Sequence, residues 1–183
     1  MKDNVRQTPG TPEGAAPTAV TTEAPNHSEY RKALGCFGTG VTVVTARHQA
    51  QDVGMTCNSF SSVSLNPRLV LWSIRKEASS LEAFTQSGGF TVSVLAHGQE
   101  ALAMQFAKGS MADRFAGVPV TRQSSDRLRL HGAVAWFDCD VHQLIEAGDH
   151  VIVLGAVCDF GWQDSPALAF QRSQFGQFQA LSG

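Results

Sequence analysis

Two long β-rich runs near the C-terminus, roughly Ala133 to Ile145 and His150 to Phe160, are separated by the short turn Ala147-Gly148-Asp149. A connection that short cannot hold the crossover a parallel pair requires, so the two runs form an antiparallel hairpin. No regular strand–helix–strand alternation surrounds them. An antiparallel barrel is therefore favoured over a doubly wound sheet.

The rest of the chain fits that choice. Val41 to Ala46 is a β-rich run, the polar stretch His48 to Asp52 turns it back, and a second strand is expected from Val53 to Phe60. Further strands are expected at Leu69 to Ile74 after Pro67, at Phe90 to Leu95 with alternating Phe90, Val92 and Val94, and near Ala167 to Gln171. Three short helices accompany them. Ser28 can cap one running through Tyr30, Leu34 and Phe37 and ended by Gly38 and Gly40, and Ser79 or Ser80 can cap one reaching Gln86. The third covers about His97 to Phe106, with Leu102 and Phe106 four apart.

The length of 183 residues, 43 % of them apolar, suits one domain with a single core. Residues 1 to about 27 hold four of the seven prolines and no aromatic residue, which predicts a flexible N-terminal tail before a domain over 28–178. Residues 179–183 then form a short C-terminal tail. Fourteen basic against sixteen acidic side chains argue against attachment to nucleic acid or to an anionic membrane by bulk charge. No apolar stretch approaches the roughly 20 residues of a spanning helix, and no signal-like apolar region opens the chain, so a cytoplasmic protein is expected. Cys36, Cys57, Cys139 and Cys158 show no CxxC spacing, which predicts reduced thiols, most of them buried, and no metal site. Neither GxGxxG after a strand nor a P-loop, a nucleophile elbow or a carboxylate pair is present, which leaves Rossmann, P-loop and hydrolase chemistry without support.

Chemistry is concentrated elsewhere. The segment Gly54-Met55-Thr56-Cys57-Asn58-Ser59-Phe60-Ser61-Ser62-Val63-Ser64 sets hydroxyls and an amide along a strand-like stretch. This is either a strand with one polar face or a row of neutral donors for a flat polar ligand, and a flavin ring with its ribityl chain has that demand. Arg75-Lys76-Glu77-Ala78-Ser79-Ser80 opens a helix and is either an ordinary cap or a phosphate seat. Lys108 and Arg114 are surface charges or phosphate partners. His150, directly after Gly148-Asp149, either pairs with a neighbouring carboxylate or donates into a pocket.

Together these stretches resemble the short-chain flavin reductases, the reductase components of two-component flavin-dependent monooxygenases. The resembling pieces are Gly40 to Thr45, Gly54 to Pro67, Gly89 to Leu95, Phe106-Ala107 with Asp113 to Gly117, and Gly148-Asp149-His150 leading to Leu154-Gly155. They recur in family order over about Tyr30 to Gly176. The resemblance implies a split β-barrel of the FMN-binding type, a homodimer, and hydride transfer from NADH or NADPH to FMN or FAD. Diffusible reduced flavin would then pass to a separate monooxygenase.

Carried onto this chain, Thr56, Cys57, Asn58, Ser59 and Phe60 would lie along the flavin, with Ser61 and Ser62 extending the contact. Lys76, Ser79 and Ser80 would hold the phosphate, and Ala107, Lys108 or Arg114 would approach its ribityl or phosphate end. His150 would lie near the nicotinamide, and Arg172, Ser173, Gln174 and Phe175 would help enclose the nucleotide. Ala78, Ser173 and Phe175 stand where the family more often has a hydroxyl residue, Gly and Tyr. No basic cluster for a 2′-phosphate is visible along the chain, which tilts the expected donor toward NADH. Two alternatives stay open: an enzyme that keeps its FMN and reduces another acceptor such as a corrinoid or a quinone, and a flavin-binding electron carrier without efficient NADH oxidation.

Overall fold

The computed structural model describes residues 26–180; most of the predicted N-terminal tail and the last three residues lie outside them. The elements in chain order are α1 (His27–Leu34), β1 (Thr39–Gly40), β2 (Thr42–His48), β3 (Gln51–Cys57), β4 (Ser61–Leu65), β5 (Arg68–Arg75), α2 (Leu81–Gln86) and β6 (Gly89–Val94). There follow α3 (Glu100–Lys108), β7 (Val120–Arg122), β8 (Leu128–Leu130), β9 (Ala135–Ala147), β10 (His150–Trp162), β11 (Leu168–Gln171) and β12 (Gln174–Gln177). Among the described residues no helix is long and apolar enough to cross a membrane.

The fold is mainly β with three short helices. Its principal sheet runs β3-β2-β6-β9-β10-β5-β4, every neighbour antiparallel. The β9–β10 hairpin is its axis. It pairs from Ala135↔Trp162 to Ala147↔His150, and Gly148 takes the positive φ of 63° that its tight turn demands. The ladder does not close, since β3 and β4 remain edges. A small sheet β1-β11-β12 and the β7–β8 hairpin flank it.

Strand β2 explains why two cores form. Val44 and Ala46 face one cluster with Trp72, Phe84, Phe90, Val92 and Val153. Val41 (just before β2) and Val43 face the other, with Leu95, Ala103, Phe106, Leu130 and Leu168. Side chains two apart share a face, so a strand buried on both sides reads as an unbroken apolar run. The polar face expected for β6 is also buried. Thr91 Oγ1 donates to Asp138 Oδ1 at 3.1 Å, and Ser93 Oγ accepts from Leu130 N at 3.2 Å. Arg127 enters the same layer, donating to Asp138 Oδ1 at 2.9 Å, to the Cys139 carbonyl at 2.6 Å and to Asp140 Oδ1 at 2.6 Å. A buried ion pair thus fastens the stretch leading into β8 to the sheet.

Several expectations are corrected. α1 is capped by Asn26, whose Oδ1 accepts from Glu29 N, and it stops at Leu34, so Phe37 lies outside it. Asn26 sits three residues before Glu29, where its carbonyl oxygen meets an otherwise unpaired amide. The strand expected from Val53 to Phe60 ends at Cys57, and the separate β4, β7, β8 and β12 were not anticipated. Ser80 occupies the α2 cap position without a side-chain bond to that helix. All four thiols are free, but only Cys57 and Cys139 are buried. Burial pushes the Cys139 thiol up to about 12 and leaves it protonated.

Candidate functional site

The site is made by a break in the ladder. β3 ends at Cys57 and β4 resumes at Ser61, so residues 58–60 leave the sheet. Ser59 bridges the gap: its Oγ accepts from Ser73 N at 2.9 Å, donates to the Ser73 carbonyl at 3.3 Å and meets Cys57 Sγ at 3.0 Å. A hydroxyl has one proton and two lone pairs, so its capacity is fully used. Thr56 Oγ1 donates to the Ala103 carbonyl at 2.5 Å and ties β3 to α3, while Thr42 Oγ1 donates to the Cys57 carbonyl at 2.8 Å. These hydroxyls are tethers. They leave the Asn58 amide, which makes no side-chain bond among the described residues, presented to a ligand.

Residues of β3 (Met55, Thr56, Cys57) and of β5 (Ser73, Arg75) line one cleft of about 540 Å³. The sheet is therefore curled until its two ends face each other across that space. The volume is in the range of organic-ligand sites. α2 contributes its approach, Glu77 to Ser80, and α3 contributes Phe106 and Ala107.

Two cations reach the cleft without a carboxylate partner among the described residues, Arg75 and Arg114. Arg114 is fixed by backbone alone, donating to the Gly54 carbonyl at 2.6 Å and the Gly109 carbonyl at 3.0 Å. Burial pulls its guanidinium below the ordinary arginine value while leaving it charged. An uncompensated charge held this way suits an anionic ligand group. His150 faces Arg75 across the β10–β5 register and lines the cleft. Its Nδ1 lies 2.8 Å from Asp149 Oδ1, the neighbouring-carboxylate pairing, and Nε2 makes no side-chain bond among the described residues. The imidazole's hydrogen bond and charge hold the Asp149 carboxyl below the usual range.

Of the expected site residues, the cleft gathers Thr56, Cys57, Asn58, Ser59, Ser79, Ser80, Ala107, Arg114 and His150. It does not gather Phe60, which stacks on Phe137 with centroids 5.5 Å apart, nor Lys76, which pairs with Glu146. Ser61, Ser62 and Lys108 are exposed outside it. Phe175 lines a separate apolar gap of about 220 Å³ with Phe170, Met104 and Val41, and this gap shares Thr56, Asn58 and Ala107 with the cleft. Arg172 and Ser173 line a different cavity against α1, and Gln174 lines neither.

Of the remaining lining residues, Met55, Arg75, Glu77, Ala78 and Phe106 fall within the candidate segments of the sequence without a role of their own, and Ser73 falls outside all of them. Alternation was the available signal for two of them. Ser73 and Arg75, two apart on β5, share a face that Lys76 does not.

Residues 34–179 match the family model described as a flavin reductase like domain. The chain is 39 % identical over 160 residues to an FMN reductase (NADH) of Agrobacterium fabrum, covering 84 % of this chain and 87 % of that protein. It is 38 % identical over 148 residues to the reductase component of a flavin-dependent trigonelline monooxygenase of Acinetobacter baylyi, covering 80 % of this chain but 47 % of that one. The chain thus spans about half the length of some curated relatives. Among solved structures, the Streptomyces globisporus NADH:FAD oxidoreductase in complex with NAD and FAD fragments is similar at a TM-score of 0.81 and 38 % identity, over 88 % of this chain and 98 % of that chain.

Proposed function

This chain belongs to the flavin reductase like domain family, and from that premise we propose that it is an NAD(P)H-dependent flavin reductase. It takes FMN or FAD as the hydride acceptor and NADH as the preferred donor. The flavin, when bound, supplies the redox chemistry. The observation that carries the assignment is the cleft itself, which joins a free amide and backbone groups at a strand break to two unpaired cations. A polar ring lying along residues 56–58 would reach Arg75, Ser79, Ser80 or Arg114 with its phosphate.

The chain's own residues bind and orient. Ser59 and Thr56 hold the break rigid, so that ring donors keep their places. His150, set by Asp149, offers Nε2 at the mouth of the cleft to orient the nicotinamide. Phe170 and Phe175 shield the adjoining apolar gap from water.

The finer architecture belongs to the same proposal. The curled sheet is half of a split barrel, and the chain works as a homodimer in the cytoplasm. Support comes from the edge strand β4, whose Val63 and Leu65 are exposed (Leu65 at 92 %), and from exposed Leu144, Ile145 and Phe160 on the long hairpin. The reduced flavin is handed to a separate monooxygenase, as the names of relatives indicate for those proteins.

The test is an aerobic assay of NADH with excess FMN. Rapid NADH oxidation that scales with added free flavin supports the assignment. Turnover only with another acceptor, or none, removes it.

A further inference from the structure

One side chain on α3 holds a whole turn in place. Gln105 does not line the cleft, although its neighbours Phe106 and Ala107 do. Its Nε2 donates to the carbonyls of Asp113 at 2.9 Å, Arg114 at 3.1 Å and Ala116 at 3.0 Å. A primary amide has two N–H protons, so three acceptors are served only by sharing one of them. No other side chain among the described residues gathers three backbone carbonyls of one turn.

Residues 110–117 belong to no helix or strand. Their own bonds are short-range: Asp113 N and Arg114 N donate to the Ser110 carbonyl at 3.0 and 3.1 Å, and Ala116 N donates to the Asp113 carbonyl at 3.1 Å. Such bonds curl the segment without fastening its backbone to the helix. Phe115 anchors it on one side, edge-on to Phe106, and Gln105 fastens the backbone itself.

The side chain that this turn sends into the cleft is Arg114. Two of the five N–H groups of its guanidinium are used on the Gly54 and Gly109 carbonyls, at 2.6 and 3.0 Å, and the others are left for a ligand. Gln105 holds the carbonyl of Arg114, so it fixes the guanidinium at its root. A shift of about 1 Å there is carried to the N–H groups and is enough to spoil a directed charge-assisted bond.

We propose that Gln105 is the positioning residue of the anion subsite. By clamping residues 113–116 it aims Arg114 at the phosphate that closes the ribityl chain, in FMN and FAD alike, and it does so without touching the flavin. The assignment rests on the flavin reductase reading and extends the site to a residue outside the cleft.

Full-length wild type, Gln105→Leu, Gln105→Asn, Arg114→Ala and the double variant of Gln105→Leu with Arg114→Ala are titrated with FMN, FAD and riboflavin by flavin fluorescence. Leucine keeps the bulk and the helix preference of glutamine but removes the donor, and asparagine keeps the amide but withdraws it by one methylene. Riboflavin has the same ring and ribityl chain without a phosphate. Its binding therefore shows that the cleft is folded and does not respond to the aim of Arg114. Both Gln105 variants are expected to raise Kd for FMN and FAD roughly five- to twentyfold and to leave riboflavin within about twofold. In steady-state kinetics KM for FMN should rise by a similar factor, with kcat within about twofold of wild type. In the Arg114→Ala background, Gln105→Leu should add less than about twofold, because no guanidinium is left to aim. The proposal is overturned if FMN affinity stays within about twofold of wild type in both Gln105 variants, or if riboflavin weakens as much as FMN in both. It is equally overturned if the losses from Gln105→Leu and Arg114→Ala multiply. A wild-type protein that binds none of the three flavins defeats the flavin reductase reading instead, and that result is distinct from all of these.

Discussion

Gly54 is the position where packing and ligand binding are most tightly joined. A Cβ there would come 2.7 Å from Phe106 Cε1, 3.0 Å from Phe106 Cδ1 and 3.1 Å from Phe115 Cζ. Phe106 is fully buried and meets the half-buried Phe115 edge-on at 5.0 Å between centroids, so the Phe106 ring has no room to swing aside. Overpacking of this kind costs about 1–3 kcal/mol, and relief of glycine's strand penalty returns about 0.5–1 kcal/mol. At the middle of those ranges Gly54→Ala should therefore lose about 1 kcal/mol net, read as a urea midpoint lowered by roughly 0.5 M at unchanged slope. The displaced element is α3 together with the loop that carries Arg114, which donates to the Gly54 carbonyl. Flavin affinity, measured by fluorescence titration, should fall about three- to tenfold. Adding Phe106→Leu vacates the clashing ring atoms and should recover part of both losses, a coupling of about 1 kcal/mol. If Gly54→Ala matches wild type in stability and in flavin affinity, the seating of α3 against β3 has been described wrongly.

Other expectations follow from the same structure. Asp138→Asn removes the buried one of the two carboxylates on Arg127, which keeps Asp140 and the Cys139 carbonyl, and should cost about 1–3 kcal/mol in chemical denaturation. Asp52 is pushed up by partial burial but held lower overall by hydrogen bonds from Arg122 and Arg47. A depressed carboxylate stabilises above its unfolded pKa and loses that contribution as pH falls through its folded value. The drop in stability between neutral and acid pH should thus be smaller in Asp52→Asn than in wild type. His150→Ala should weaken NADH use several-fold in steady-state kinetics while FMN still binds; loss of FMN with normal NADH affinity would remove the role given to Nε2.

How far these features could be read from the sequence depends on the range of the interaction that sets each one. The β9–β10 hairpin was legible because its turn and its alternation are local, and so was β10 beginning at His150. β7, β8 and β12 are strands of three or four residues in local hairpins, too short for alternation to show, and the β7–β8 hairpin is anchored from afar by Arg127 at Asp138. In the candidate site, the segment around Asn58 stands out in the sequence and lines the cleft, but the tethering use of its hydroxyls is not legible there. The acceptors of Ser59 and Thr56 are the carbonyls of Ser73 and Ala103, on elements that only the fold brings near. The resemblance points to Lys76, whereas strand alternation brings Arg75 to the cleft and Lys76 pairs with Glu146.

The most direct test is a crystal structure of the protein soaked in FMN. The account predicts the ring along residues 56–58 and the phosphate within hydrogen-bonding distance of Arg75, Arg114 or the Ser79–Ser80 turn. A ring seated elsewhere, for instance in the cavity lined by Trp136 and Trp162, would contradict it.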